Sequence, residues 1–145
     1  PVNIKQILAT GSGELFFSPD ETKVLYTATA SATLPVAISN YLPGKNPTPE
    51  TRTIKPGNTY VYDLKEDKNY LVENSRWFPS SRHLISTSDN QISIMEYDGT
   101  YKAVVFNGAF GKDAVFAWPN WSKLVILTTL GSTTGMENLY TVNFR

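Results

Sequence analysis

One pattern returns three times along the chain and constrains its fold more than any other feature. The copies read "FFSPDETKVLYT" at 16–27, "WFPSSRHLIST" at 77–87 and "AWPNWSKLVILTT" at 117–129. Each copy has an aromatic residue and a proline, then a few small polar residues, a basic residue and an apolar run. Proline beside small polar residues predicts a tight turn, and a run rich in β-branched residues predicts a strand. The chain is therefore expected to repeat one hairpin three times.

Strand signals also fill most of the remaining sequence. Short runs rich in Val, Ile, Tyr, Phe and Thr alternate with turn residues, and no window of about 12 residues keeps a helical period. Strands are predicted at 2–8, 14–17, 23–30, 59–64, 69–73, 83–88, 91–98, 101–106, 114–118, 123–129 and 138–144. The polar stretch 65–68 and the pair Asp98-Gly99 suit hairpin turns between third and fourth strands of a repeat. The sequence predicts an all-β fold.

The spacing of the copies indicates which all-β fold. Pro19, Pro79 and Pro119 lie 60 and 40 residues apart, and the longer gap holds an insertion at 31–57. Without most of that insertion the period is about 40, the size of a four-stranded propeller blade. We expect one domain over 1–145 with three four-stranded blades, half of a propeller, from repeats at about 2–64, 69–98 and 101–144. In this register "VNIKQIL" (2–8) is an orphan fourth strand that completes the last blade of a ring, and "NLYTVNF" (138–144) is a third strand without its fourth.

The first copy also resembles a known repeat. "FFSPDETKVLYT" is similar to the "W/F-S-P-D-G-x-x-[IVL]-x-[FY]" core of TolB-like, WD-type β-propellers, with Glu21 where glycine is usual. The other two copies depart from this core at Asp-Gly. The texture of the chain is also similar to the C-terminal propeller of bacterial PEGA-domain envelope proteins. The resemblance implies a propeller fold, a binding or scaffolding role, and a location at the bacterial cell envelope or outside the cell.

Composition excludes several classes of partner and chemistry. Thirteen basic and thirteen acidic residues cancel, so no overall field attracts nucleic acid or an anionic membrane. The absence of cysteine removes disulfides, thiol nucleophiles and cysteine-ligated zinc. No apolar run approaches the roughly 20 residues that span a bilayer, so membrane insertion by this segment is not expected. Since the chain begins with Pro1, we expect a removed initiator methionine or a longer parent protein.

Three blades would leave two apolar blade faces and two edge strands bare. Closed propellers carry about four to eight blades, and bare faces of this kind favour association. We expect a homodimer that forms a closed ring of about six blades, with strand 2–8 of each chain adding to strand 138–144 of the other. The residues predicted to mediate this association are Ile4, Ile7, Leu139, Tyr140 and Val142. In the alternative, the missing blades belong to a longer propeller.

The insertion predicts where a ligand would bind. In a propeller, the loops at 31–57, 107–113 and 130–138 would lie on one rim, and a loop as long as 31–57 is functional or disordered. The apolar first half of the insertion packs on the rim or a partner, caps the chain's own core, or is mobile. A protein or glycan partner is predicted to touch Leu34, Tyr41, Leu42, Phe110 and Lys112.

The candidates for catalysis are weak. His83 is the only histidine, and it takes the place of Lys23 and Lys123 in the other copies, a position that suits a surface polar residue. A Ser-His-Asp triad would lack the G-x-S-x-G elbow, and zinc would lack further nitrogen or sulfur ligands. We therefore expect a non-enzymatic module without metal or cofactor. The alternatives are a hydrolase or lyase that uses acidic residues at a channel mouth, and a purely structural part of a longer propeller.

Overall fold

A computed structural model describes residues 4–39, 43–130 and 134–144. It begins with the helix α1 (Ile4–Gly11), and every other element is a strand. The strands are β1 (Ser12–Phe17), β2 (Lys23–Ala28), β3 (Ala32–Thr33), β4 (Thr53–Ile54), β5 (Thr59–Asp63), β6 (Lys68–Val72), β7 (Arg76–Trp77), β8 (His83–Ser88), β9 (Gln91–Glu96), β10 (Ala103–Asn107), β11 (Val115–Ala117), β12 (Lys123–Thr128) and β13 (Asn138–Asn143). The all-β fold is confirmed, and so are the predicted strands from residue 14 onward, to within two residues.

Most strands form three antiparallel sheets in chain order, and β3 and β4 of the insertion form a separate two-stranded sheet. The first sheet has the order β1-β2-β5-β6, the second β7-β8-β9-β10 and the third β11-β12-β13. Both predicted hairpins between third and fourth strands are present, because β5 pairs with β6 and β9 with β10. Within the described residues none of the sheets closes on itself, and the third sheet ends at β13.

The repeated motif forms the same tight turn in each sheet. The fourth residue of the turn is Glu21, Ser81 or Trp121, and its φ is positive, at 56°, 58° or 61° respectively. The backbone N–H of that residue donates to the carbonyl oxygen three positions earlier, at 2.8, 3.3 and 2.8 Å respectively. The turn therefore positions β2, β8 and β12 identically relative to the strand before each, and residues can be matched between the sheets.

The sheets pack face to face. Leu25, Val61 and Tyr70 of the first sheet form one buried cluster with Leu84 and Met95 of the second. A further buried cluster joins the second sheet to the third through Phe78, Ile85, Ile92, Val115, Leu124 and Ile126. The core therefore consists of successive layers between sheets, with no single centre.

The prediction of a strand over 2–8 is wrong for the residues that the structure describes. Residues 4–11 form α1, and Ile4 and Leu8 are buried while Ile7 packs beside them. Ile4, Ile7, Leu8 and Gly11 recur at the spacing of one helical face, which a strand cannot bury together. Ile4 and Ile7 are therefore part of this chain's own core and cannot extend a partner's sheet in this conformation.

Candidate functional site

The third sheet carries an apolar face that no other element covers within the described residues. The residue two positions after the basic residue of each motif is Leu25, Ile85 or Val125. In the first two sheets this residue points toward the next sheet along the chain. Leu25 belongs to the cluster between the first and second sheets, and Ile85 to the cluster between the second and third. Val125 holds the same position in the third sheet, after which the described chain has no further sheet.

We call Phe116, Trp118, Val125, Leu127 and Leu139 the outer face. Phe116 pairs with Val125 across the sheet, and Leu127 pairs with Leu139. Phe116 and Leu139 are 56% and 67% exposed. Contiguous exposed apolar side chains of this kind mark an interaction surface.

The opposite end of the molecule is covered. On the first sheet, the rings of Tyr26 and Tyr60 stack with their centroids 5.6 Å apart. Over them lie Ile4 and Leu8 of α1, with Leu34 and Ile54 of the insertion. Leu34 is only 2% exposed, so it caps the chain's own core and is not presented to a partner.

Asp67 fastens the insertion to this end. Its Oδ2 accepts hydrogen bonds of 2.7 Å from the backbone N–H groups of both Ala37 and Ile38, and the Arg52 guanidinium donates to Oδ1 at 3.0 Å. The Tyr62 hydroxyl donates to the same Oδ1 at 2.5 Å. Burial raises the pKa of Asp67, but the hydrogen bonds from Tyr62, Ile38 and Arg52 outweigh burial and leave the pKa lowered. The network is thus built around an ionised carboxylate.

A second carboxylate holds the later part of the insertion. Asp98, in the β9–β10 turn, accepts from Asn46 Nδ2 at 2.8 Å and from Thr48 Oγ1 at 2.7 Å. Burial raises the pKa of Asp98, and hydrogen bonds from Thr100, Asn46 and Thr48 lower it further than burial raises it. Both halves of the insertion are therefore anchored to the sheets by buried ionic hydrogen bonds.

A cavity of about 330 Å³ lies between the second and third sheets. Its walls are mostly apolar and aromatic, and two polar side chains complete them. The lining residues are Phe78, Ser80, His83, Ile94, Ala103, Val105, Trp121 and Phe144. Cavities of this size and character are typical of sites for small organic molecules.

The polar side of the cavity contains a chain of three side chains. Ser80 Oγ lies 2.8 Å from His83 Nδ1, and His83 Nε2 lies 3.4 Å from Glu96 Oε1. Ser80 Oγ also accepts from the backbone N–H of Arg82 at 3.3 Å. Asp20 and Asn120 accept from the corresponding N–H groups of Thr22 and Ser122 in the other two copies. The position of Ser80 is therefore explained by the turn, without a catalytic role.

Of the remaining predicted rim residues, the structure describes Phe110 and Lys112. Phe110 packs against the cluster between the second and third sheets, edge-on to Phe106 with centroids 6.1 Å apart. Lys112 forms an exposed ion pair with Asp89. Tyr41 and Leu42 lie outside the described residues. The rim site therefore stays a prediction for Lys112, while Phe110 is partly used in packing.

The predicted self-association residues of β13 divide between two faces. Leu139 lies on the outer face. Tyr140 and Val142 point the other way, into the packing between the second and third sheets. Only Leu139 of this group is placed to meet a partner through the face of the sheet.

Bare apolar blade faces were predicted from the sequence, but the cavity and the residues of the outer face were not. Both follow from matching the three copies strand by strand, which compares Ala103 with Tyr70 and Val125 with Leu25. That comparison needs the pairing of the fourth strands, including the bulge in β10 between Val104 and Phe106.

Two general features bear on the class of site. Among the described residues, no cluster of three or more histidine, cysteine or acidic side chains is arranged to hold a metal ion. In the same part of the chain, no helix has the length and apolar character needed to cross a membrane. No protein-family model and no curated protein matches this sequence.

Proposed function

We propose that this chain is a non-enzymatic binding and scaffolding module of the β-propeller type, which self-associates through the outer face of its third sheet. Three sheets packed face to face, each entered through the same turn, support the propeller type. The observation that carries the self-association is the outer face, with Phe116 and Leu139 more than half exposed.

The occupant that fits this face best is another sheet. The corresponding faces of the first and second sheets carry Leu25 and Ile85. Each of these faces packs against the next sheet of this chain. A second copy offers an identical apolar sheet face, and a two-fold axis can join two such faces in an isologous contact. The partner we propose is therefore a second copy of this chain.

The covered end of the molecule determines the symmetry. A ring of about six blades made from two chains would need an exposed apolar face on the first sheet as well as the outer face on the third. α1 and the insertion already cover the first sheet with Ile4, Leu8, Leu34 and Ile54. Pairing of third sheet to third sheet needs no rearrangement of that cap, so we propose this arrangement in place of strand exchange.

Light scattering on the purified chain, over a range of concentrations, tests the proposal. We expect a mass of twice 16.1 kDa. Leu139→Lys should shift the mass to that of one chain, because it places a charge on the apolar outer face beside Leu127. Val36→Lys is the matched control, since Val36 in the insertion is 64% exposed and lies away from the outer face. It should leave the dimer intact.

Two results would overturn self-association. One is a wild-type mass of a single chain at every concentration, which would leave the missing blades of a longer propeller as the occupant. The other is a dimer that Val36→Lys disrupts and Leu139→Lys does not.

A further inference from the structure

The two sheet interfaces can be compared residue by residue. Tyr70 in β6 pairs with Val61, and Ala103 in β10 pairs with Ile94. Val61 and Ile94 are themselves equivalent, because they pair with Leu25 and Ile85 of the matched strands β2 and β8. Ala103 therefore stands in the second interface where Tyr70 stands in the first.

A tyrosine ring fills this position in the first interface. Tyr70 is 1% exposed, and its ring meets the edge of Tyr97 with centroids 5.8 Å apart. The Lys23 ammonium lies 4.7 Å from the centre of the Tyr97 ring. This interface shows what the repeat can accommodate between two sheets, namely one phenol ring packed edge-on against another aromatic ring.

The second interface has different side chains at the positions around that ring and lacks the ring itself. Phe144 replaces Tyr97, since the backbone N–H of each donates to the equivalent carbonyl oxygen, of Ser122 and of Arg82, at 2.8 Å. His83 replaces Lys23, and Trp121 replaces Ser81 at the positive-φ position. With alanine in place of tyrosine, the cavity of about 330 Å³ remains between them.

The walls of this cavity suit an aromatic ring that carries a hydroxyl group. Phe78 and Phe144 meet edge to face with centroids 6.0 Å apart, and Trp121 adds an indole ring that is 51% exposed. Aromatic rings pack favourably against such edges and faces. Ser80 and His83 supply polar groups among the lining residues, so one hydrogen-bonding group of a ligand can be satisfied there.

We propose that this cavity binds a small phenolic molecule, whose ring takes the place that the Tyr70 side chain fills in the preceding interface. The cavity volume fits one ring with a short substituent. It lies near the lower end of the range for small-molecule sites, which begins at about 300 Å³. This site is separate from the outer face, and it does not depend on self-association.

A titration with p-cresol, followed by ¹H–¹⁵N NMR spectra of the full chain, tests the proposal. We expect saturable shifts of the amide signals of Ala103, Val105 and Phe144. Toluene lacks the hydroxyl group and should bind at least about threefold more weakly if that group forms one hydrogen bond of roughly 1 kcal/mol.

A matched pair of substitutions locates the binding. Ala103→Tyr places the missing ring on the protein and should abolish p-cresol binding. Val104→Tyr adds the same side chain at the next residue of β10, where Val104 is 52% exposed and does not line the cavity. This control should bind p-cresol as the wild type does.

Several results would overturn the proposal. These are the absence of saturable shifts in the wild type, shifts confined to residues away from the cavity, and equal binding by the two tyrosine variants. If Ala103→Tyr does not fold, the wild-type shift map and the comparison of p-cresol with toluene still decide the matter. A wild-type chain that binds p-cresol but has the mass of one chain at every concentration would reject the proposed self-association and leave this site standing.

Discussion

Tyr70 and Ala103 occupy equivalent positions in successive sheets, opposite Val61 and Ile94. At this position of the second interface, where alanine replaces the tyrosine ring, a cavity of about 330 Å³ is present. Repetition of the backbone therefore does not impose repetition of the packing.

Removal of the Tyr70 hydroxyl should not destabilise the protein. This hydroxyl is buried and has no hydrogen-bond partner among the residues that the structure describes, and burial raises the pKa of the side chain. Tyr70→Phe should leave the free energy of unfolding unchanged or raise it by up to about 1 kcal/mol, because an unsatisfied buried hydroxyl is itself unfavourable. Urea denaturation measures the change.

The control for this substitution is Tyr26→Phe. The Tyr26 hydroxyl is also buried, but it donates to Asn69 Oδ1 at 2.8 Å. Its loss leaves the amide oxygen unpaired and should cost about 1–2 kcal/mol. Equal destabilisation by both substitutions would contradict this account of Tyr70.

Alanine at Gly99, in the β9–β10 turn, tests how closely this turn packs against β6 of the first sheet. Gly99 and Gly57 share a φ of 83°, so alanine strains the backbone similarly at both. A Cβ atom at Gly99 would lie 3.2 Å from the Leu71 carbonyl oxygen, whereas a Cβ atom at Gly57 would meet none of the described residues within 4 Å apart from its chain neighbours. Gly99→Ala should therefore lower the thermal midpoint more than Gly57→Ala does. Equal midpoints in the two variants would mean that the turn can move away from β6.

The repeated turn and the strands could be predicted because their signals are local. Proline with small polar residues, and runs of β-branched residues such as 123–128, are typical of hairpins wherever they occur. The packing of one sheet on another depends on side chains far apart in sequence. That Ala103 faces a cavity while Tyr70 fills one follows only from the register of β6 and β10, and the bulge in β10 shifts that register.

The N-terminal helix shows a different limit. "IKQILATG" is only eight residues long, below the window in which a helical period is convincing, and its Ile and Leu content also suits a strand. Tertiary packing decides the outcome, because Ile4 and Leu8 find a buried site on the tyrosines of the first sheet. Short apolar segments of this kind are assigned by what they pack against.

Proline at Ala9 distinguishes a helix from a strand in this segment. Ala9 is exposed and lies past the first turn of α1, so proline there removes the backbone hydrogen bond to residue 5 and clashes with the preceding turn. Ala9→Pro should cost roughly 3 kcal/mol of stability, while Ala9→Gln should cost less than about 0.7 kcal/mol. Chemical denaturation of both variants measures this difference. Helical ¹³C shifts over 4–11 in the wild type should accompany it, and extended shifts there would contradict the helix.

The Asp67 network should make stability depend on pH. Its folded-state pKa is lowered, so the carboxylate stabilises the fold above the unfolded-state value of about 3.9, and this stabilisation is lost as pH falls through the folded-state pKa. Asp67→Asn removes the charge that faces Arg52, in an ion pair whose Asp67 side chain is only 2% exposed. It should cost about 1–3 kcal/mol at pH 7, because the guanidinium loses one carboxylate partner and keeps the other, Glu50.

Urea denaturation of wild type and Asp67→Asn between pH 7 and pH 2.5 measures this dependence. The difference in unfolding free energy should be constant down to about pH 4 and should shrink below that value, as the wild-type carboxylate becomes protonated. Asp89→Asn is the control, since its ion pair with Lys112 is exposed and screened by solvent, and it should follow the wild type throughout. A difference that stays constant down to pH 2.5 would mean that the charge of Asp67 does not hold the insertion in place.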